Sequence, residues 1–541
     1  MGWIMAELMK VTVGDCLRKQ ALELKDQEAM VYSKLGIRYT YQEFYELTTK
    51  VAKGLMAMGI EKGDHIAVWA TNVPEWLLLQ FGSARAGAVL VTVNTNYQSS
   101  ELDYLLKQSD AKALFFIEQF RTTSYKDMVD SVKGRLAEFP VLKHFIQLDA
   151  ESSSYETFSD MLEAGNVVSD EDLQRRESSL HCNDVINMQY TSGTTGFPKG
   201  VMLTHYNIVN NARQIADSMN LSSADRLCIP VPFFHCFGCV LGTLAAVSVG
   251  ATMVPIVQFD PQEVLETVQN ERCTGLHGVP TMFIAELNLP DFDSYDLRTL
   301  RTGIMAGSPC PIEVMKKVIE KMGMSEITIA YGQTESSPVI TQTRTDDPIE
   351  RRVETVGKKH AQLEAKVVDP ITNKEVGPGE QGELCTRGYH VMKGYYKMPE
   401  ATTEAIDADG WLHTGDLATV DREGYFKITG RLKDMIIRGG ENVYPREVEE
   451  FLYSHPSILD VQVIGVPDKK FGEKVAACIQ VKEGRTLSEN ELKAYCKGKI
   501  SHFKIPEYYL FLEEYPMTAS GKVQKFKLRE QAIEALSVIH E

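Results

Sequence analysis

Apolar residues recur at helical spacing through "TYQEFYELTTKVAKGLMAMG", which opens on a capping box from Thr40 to Glu43 and stops at Gly59. "HIAVWA" follows as a strand, "PEWLLLQFGSARAG" as a helix and "AVLVTVN" as another strand. That alternation predicts an α/β domain with largely parallel sheets. The same style continues through "VINMQY", "RLCIPVPFF", "ATMVPI" and "EITIAYGQTE". Near residue 430 the texture changes: "ITGRLKDMIIRGGENVYPREVEEFLYSHPSI" is dense in charge and glycine before a helix with Pro445 in its first turn. "VQVIGV" and "VAACIQV" then read as strands, and "LSENELKAYCKGKI" carries a second capping box, Ser488 to Glu491, with Leu487 and Leu492 at the staple positions. "YYLFLE" is a last strand before "YPMTASGKVQKFKLRE". The expected architecture is a large N-terminal α/β domain over 1–432 with mixed sheets, and a small α+β domain over 433–541, large enough to fold on its own.

Composition narrows the class. A chain of 541 residues exceeds the size at which one core stops growing. With 43% hydrophobic and 24% charged residues it reads as an ordinary globular protein, without internal repeats or low-complexity segments. Its net charge of −17 argues against nucleic-acid or anionic-membrane partners, so an anionic substrate needs local positive charge. The start "MGWIMAELMKVTVGDCL" lacks a basic-then-apolar leader and no run of 18 apolar residues occurs, so a cytoplasmic chain without a transmembrane segment is expected. Ten scattered cysteines fit a reduced compartment. His235, Cys236 and Cys239 in "FFHCFGC" imitate metal spacing, but no fourth ligand or second close pair accompanies them, and the cysteines read as small apolar residues.

Chemistry first surfaces in "MQYTSGTTGFPKGVMLTH", where glycines, hydroxyls and one lysine lie between two apolar stretches. Glycines let backbone approach an anion, and amide and hydroxyl donors share its charge, so the loop suits a phosphate chain. It is not the P-loop G-x-x-x-x-G-K-S/T: after Gly193 the register gives Pro198, Lys199 and Gly200, with proline for the second glycine and glycine for the magnesium-binding hydroxyl. The loop also runs into the strand-like "VMLTH" and not directly into a helix. "YGQTES" places Tyr331, Thr334 and Glu335 where a strand ends and a ligand crevice opens. Asp416 in "DGWLHTGD" suits either a backbone cap or ribose hydroxyls, "GRLKD" offers Arg431 and Lys433, and "SGKVQK" offers Lys522 on a tight turn.

Taken in order over nearly the whole chain, these stretches resemble the adenylate-forming acyl-CoA synthetases, a family grouped with firefly luciferases and the adenylation domains of peptide synthetases. "YTSGTTGFPKG" is similar to the family's phosphate loop, "AGSPC" to its adenine-side turn, "YGQTE" to its adenine and magnesium motif, "HTGD" to its ribose motif, "GRLKD" to its hinge and "SGKVQK" to its catalytic-lysine loop. "DMIIRGGENVYPRE" and "GKISHFKIP" resemble most closely the medium-chain fatty acyl-CoA synthetases.

The resemblance implies a ligase that uses ATP, Mg²⁺ and coenzyme A, first making an acyl-adenylate and pyrophosphate and then acyl-CoA and AMP, on medium-chain fatty acids or alternatively on an alicyclic or aromatic acid. Thr191, Ser192, Gly193, Thr194, Thr195 and Lys199 are then implied to cradle the leaving phosphates. Glu335 is implied to hold Mg²⁺, Thr334 to donate to the α-phosphate, and Tyr331, with Gly332 and Gln333, to stack on adenine beside Ser308 and Pro309. Asp416 accepts from the ribose hydroxyls, supported by Arg431. Lys522 bridges the carboxylate and the α-phosphate, where negative charge concentrates. After adenylation the small domain is implied to swivel about Lys433, removing Lys522 and bringing Gly439 and Gly440 to a narrow pantetheine channel.

The implied acyl pocket comprises Phe233, Phe234, His235, Gly278, Met305, Ala306, Gly307 and Gly332, none fully charged at neutral pH, so an apolar tail is expected. In acetate-activating relatives a tryptophan closes the pocket where this chain has Gly332. His235 resembles a residue at the pocket mouth that positions the carboxylate; it reads equally as a hydrogen-bonded histidine at a strand end. An amino-acid adenylating enzyme needs a carboxylate near "FFHCFGC", a luciferase often ends in a peroxisomal signal where this chain reads "SVIHE", and a non-catalytic sensor is expected to lose Lys522 or Glu335. The partners expected are a small carboxylic acid, ATP and CoA, with the chain a monomer or a homodimer.

Overall fold

The computed structural model describes residues 7–191, 198–308, 310–438, 441–468, 470–518 and 522–540. Two compact units emerge, Met1–Ala365 with Thr386–Leu412, and Lys366–Cys385 with His413–Glu541.

The first unit holds two large sheets. The nine-stranded sheet runs Lys358–Lys359, Val339–Gln342, Glu326–Gly332, Thr302–Ala306, Gly275–Gly278, Arg226–Ile229, Thr252–Pro255, Glu28–Tyr32, Ile37–Thr40. Its centre is parallel and both margins are antiparallel. The eight-stranded sheet likewise has a parallel centre, Val185–Thr191 beside Val89–Thr92, His65–Trp69 and Ala111–Phe116, with Lys199–Thr204 and Gly394–Tyr395 added antiparallel at one side. The mixed α/β class expected from the alternation is therefore present.

Local signals explain the elements. Thr40 caps Tyr41–Ala57 through a reciprocal box with Glu43, and Thr204 caps His205–Ser218 with Asn207 in the corresponding place. The stretch "RLCIPVPFF" does not remain a strand to its end: extension stops at Ile229, before Pro230 and Pro232, which have no N–H to give a ladder. "HCFGC" then enters a π-helix, Phe237–Leu244, a rare winding often found at functional positions. Gly238 permits it, because a Cβ there would meet the Pro232 carbonyl oxygen at 2.2 Å.

In the second unit, Ile458–Asp468 and Gly472–Val481 form a long hairpin, with Tyr508–Phe511 parallel to the latter strand. Alternation sends Val461 and Val463 to one face, against Val448 and Leu452 of Pro445–Tyr453, and Ile464 and Val466 to the other, against Leu528 and Ala532 of Lys525–His540. Ser488 and Glu491 form the expected box, and Leu487 packs in the same cluster as Leu492.

Candidate functional site

Four neighbouring parallel strands of the nine-stranded sheet end at one margin, and the sequence-nominated residues sit on those ends. Tyr331 and Gly332 close Glu326–Gly332, Met305 and Ala306 close Thr302–Ala306 before Gly307 and Ser308, Gly278 closes Gly275–Gly278, and Phe233 to His235 follow Arg226–Ile229. Carboxyl ends of parallel strands are where open α/β sheets bind ligands. Their register places Gly278 opposite Met305 and Ala306 opposite Ala330.

Strand alternation also separates some of these residues. Ala306 packs in the cluster that contains Phe233, Cys236 and Phe237, whereas Met305 packs with Phe283 and Leu276 on the other side. Gly278 faces Phe283 too, since a Cβ there would come within 2.8 Å of that ring. The Met305 and Ala306 side chains therefore do not share one face. Phe234 is buried, and His235 is half-buried with Nδ1 accepting from the Phe237 N–H at 3.2 Å. Gly332 has no room for a side chain, because a Cβ would lie 1.7 Å from the Pro338 carbonyl oxygen.

Below Phe237 lies His277, fully buried, its Nε2 bonded to the Leu241 carbonyl at 3.0 Å and its Nδ1 accepting from the Ile304 N–H at 3.2 Å. Burial pushes its pKa down to about 4, which keeps the ring neutral. Burial likewise drives the Cys239 thiol up to about 12, and its sulfur accepts from the Gln189 amide at 3.2 Å, the role of a core residue.

The two sheets of the first unit meet through a three-residue chain. Lys199 opens Lys199–Thr204, paired with Thr191 across the hairpin, and its Nζ lies 4.8 Å from the centroid of the Tyr395 ring. The Tyr395 hydroxyl donates to Glu335 Oε1 at 2.8 Å, and the Met392 N–H donates to the Glu335 carbonyl at 2.9 Å. Burial, reinforced by that carboxylate, pushes the Tyr395 phenol well above its ordinary range. Glu335 and the buried Thr334 share a short 3₁₀ turn fixed by Gln333 and Ser336, whose hydroxyl returns to the Gln333 carbonyl at 2.9 Å. At the other end of the loop after Thr191, the Tyr104 hydroxyl donates to the Pro198 carbonyl at 3.0 Å. Sequence reasoning missed Tyr395 and Tyr104, because neither belongs to a motif and only the fold brings them to Glu335 and Pro198.

In the second unit Asp416 and Arg431 are cross-strand partners, Oδ1 to Nε at 3.0 Å, with Asp416 buried and Arg431 exposed. Thr414 organises this turn: its hydroxyl donates to the Leu384 carbonyl at 2.7 Å and accepts from the Asp416 N–H at 3.1 Å. Lys433 lies on a 3₁₀ turn, its pKa lowered by burial and by the nearby Arg431. Lys522 closes its turn through its N–H to the Thr518 hydroxyl at 3.0 Å and its carbonyl to the Thr518 N–H at 2.7 Å. Ser192, Gly193, Thr194, Thr195, Pro309, Gly439 and Gly440 lie outside the described residues. No helix among the described residues is long and apolar enough to cross a membrane.

The sequence profile described as AMP-binding enzyme matches residues 17–396, and that of the AMP-binding enzyme C-terminal domain matches residues 447–522. YngI of Bacillus subtilis (strain 168), provisionally named as an acyl-CoA synthetase, is 62% identical over 545 residues, covering 99% of this chain and 99% of its own. The mitochondrial medium-chain acyl-CoA ligase ACSF2 of Bos taurus is 43% identical over 555 residues, covering 99% of this chain and 90% of its own. A crystal structure of the anthranilate CoA ligase AuaEII with anthranoyl-AMP superposes with a TM-score of 0.86 at 27% identity, covering 99% of this chain and 100% of that one.

Proposed function

Since the chain belongs to the AMP-binding enzyme family, as an acyl-CoA synthetase of the AMP-forming kind, we propose that it activates medium-chain fatty acids with ATP and passes the acyl group to coenzyme A. The observation that carries the choice of acid is the 43% identity with a medium-chain ligase over 99% of this chain. The uncharged strand ends at Phe233, Phe234, Ala306 and Gly307 agree with an apolar tail.

A carboxylate is too poor an electrophile for a thiol, so its oxygen attacks the α-phosphate and pyrophosphate leaves. Two anions must meet, and donors already in place lower that cost. Lys199, Thr191 and the hydroxyls of the loop after Thr191 neutralise the leaving phosphates. Thr334 donates to the α-phosphate, Tyr331 stacks on adenine beside Ser308, and Asp416, oriented by Arg431, accepts from the ribose. His235 orients the carboxylate. Lys522 bridges carboxylate and α-phosphate in the first half-reaction. Glu335 offers the hard oxygen that Mg²⁺ prefers, and the ion when bound neutralises phosphate charge. Swivelling of residues 433–541 about Lys433 then exchanges Lys522 for Gly439 and Gly440, whose missing side chains suit a pantetheine channel.

CoA-dependent AMP release over a series from acetate to palmitate, with benzoate and cyclohexanecarboxylate, tests the reading. A maximum of kcat/KM at hexanoate to decanoate is expected. A maximum at acetate or palmitate refutes it. A maximum at benzoate or cyclohexanecarboxylate favours a second reading, an aromatic or alicyclic acid, to which the likeness to an anthranilate ligase lends support.

A further inference from the structure

Glu383, Cys385 and His413 have no part in the chemistry above, yet they meet inside the second unit. Glu383 and Cys385 lie two apart on Gly382–Gly388, which directs both side chains to one face of that strand. His413 stands on the adjacent strand, Leu412–Val420. The His413 Nδ1 is 2.8 Å from Glu383 Oε2 and 3.4 Å from Cys385 Sγ, and the three donor atoms lie within 4.8 Å of one another. Among the described residues this is the one such cluster of three histidine, cysteine or acidic side chains.

We propose that these three residues form a binding site for a divalent transition metal ion of the zinc class. The donor set of one thiolate, one imidazole and one carboxylate suits a borderline-soft ion and not Mg²⁺ or Ca²⁺, which take oxygen shells. Donors around a tetrahedral ion at bond lengths of about 2.0–2.3 Å stand roughly 3–4 Å apart; of the two distances at His413, 3.4 Å falls inside that range and 2.8 Å just below it, within reach of small side-chain rotations. Three protein ligands leave the fourth position to water. Cys385 and Glu383 are buried, and His413, with a quarter of its side chain exposed, provides the entrance. On binding, the Cys385 S–H bond breaks, its proton passes to solvent, and the sulfur's electron pair forms the bond to the ion; no electron is transferred. His413 enters as neutral imidazole, with its proton on Nε2.

Supporting contacts are present. The second carboxylate oxygen of Glu383 accepts the Gly415 N–H at 2.9 Å, and the Leu384 carbonyl between the two strand ligands accepts from Thr414. Gly415 and Thr414 directly precede Asp416, so an ion on Glu383 and His413 bears on the turn that presents the ribose acceptor. Occupancy therefore changes the KM for ATP.

The test uses the full chain, stripped with a chelator and titrated with Co²⁺ as a spectroscopic substitute and with Zn²⁺ in competition. One equivalent of Co²⁺ is expected to give a thiolate-to-metal charge-transfer band and intense tetrahedral visible bands, both abolished by Zn²⁺. Cys385→Ser should remove the charge-transfer band, and His413→Gln should weaken Co²⁺ binding at least tenfold. Cys385→Ser should also make the KM for ATP insensitive to Zn²⁺ while the metal-free rate stays as in the parent. Absence of a thiolate band, or a band that persists undiminished in Cys385→Ser, overturns the proposal. Should Cys385→Ser lower the melting temperature, Co²⁺ binding to His413→Gln decides alone: unchanged affinity there also overturns it.

Discussion

Glu286 carries a carboxyl into the core of the first unit. It lies on Pro280–Leu287, one turn after the core residue Phe283, fully buried, and among the described residues neither carboxylate oxygen has a hydrogen-bond partner. Burial alone pushes its pKa well above the ordinary 4.5. An acid raised in this way leaves the fold most stable below pH 4.5, and stability falls as pH rises until the folded-state value is passed. Each pH unit in that interval costs about 1.4 kcal/mol relative to a residue that cannot ionise, so the cost of keeping the proton grows from pH 4.5 up to the folded-state value. Leaving the protonated carboxyl without a partner costs a further ~1–3 kcal/mol. Glu286→Gln removes the first cost and Glu286→Leu removes both. The assay is the unfolding midpoint in urea at several pH values between 5 and 8. The parent is expected to weaken steadily across the interval relative to Glu286→Gln, with Glu286→Leu the most stable of the three at pH 7. If Glu286→Gln keeps the parent's pH slope, or proves less stable than the parent at pH 7, the carboxyl is ionised and partnered in solution and the reasoning fails.

Tyr395→Phe keeps the ring beneath Lys199 but takes the hydroxyl from Glu335; a hydrogen bond to a charged group is worth about 1.5–3 kcal/mol, so the KM for MgATP should rise about 10-fold or more, and an unchanged KM would show that the contact does not prepare Glu335. Lys522→Ala should cripple pyrophosphate exchange while the mutant still converts supplied acyl-adenylate and CoA to thioester; equal loss of both half-reactions would remove the lysine from its proposed role. Gly332→Ala should slow adenylation of short and long acids alike, by roughly 100-fold, because its Cβ displaces the Pro338 carbonyl and so the adjoining turn that carries Thr334 and Glu335; a loss confined to long acids would mean that the new methyl enters the acyl pocket instead.

What could be read from the chain alone depended on range. Capping boxes at Thr40 and Ser488 are decided within four residues, and both form as the pattern indicates. The strand Lys199–Thr204 was legible because an apolar run, Val201 to Leu203, resumes directly after Lys199 and Gly200. The π-helix at Phe237–Leu244 was not, since its apolar sequence suits any buried winding, and what selects this one is the Pro232 carbonyl pressed against Gly238. Met305 and Ala306 show the same limit within a site: adjacency suggests one shared pocket, but neighbouring strand residues face opposite ways, and here they enter different clusters.

The strand ends explain why the nominated motifs are so widely spaced along the chain and still form a site. A parallel neighbour can be reached only through a crossover, so consecutive ends of adjacent strands must lie tens of residues apart in sequence. Gly278, Ala306 and Gly332 are spaced in that way, and each ends a strand beside the next. The intervening helices, Pro280–Leu287 and Ile312–Met322, supply the connection and cover the sheet face on which Met305 and Phe283 are packed. Their composition is therefore constrained by packing, and the ends they deliver are free to carry glycine, tyrosine and glutamate. Tyr395 comes from elsewhere, an edge strand of the other sheet, and no crossover rule ties its position to Glu335. Its hydroxyl reaches that carboxylate because Gly394–Tyr395 pairs with Met202 and Val201 in a register set by backbone hydrogen bonds, with Gly394 at φ +141° giving Thr402 room beside it. A bulkier residue at 394 strains that backbone before it touches any substrate, so the contact to Glu335 depends on a glycine with no chemistry of its own.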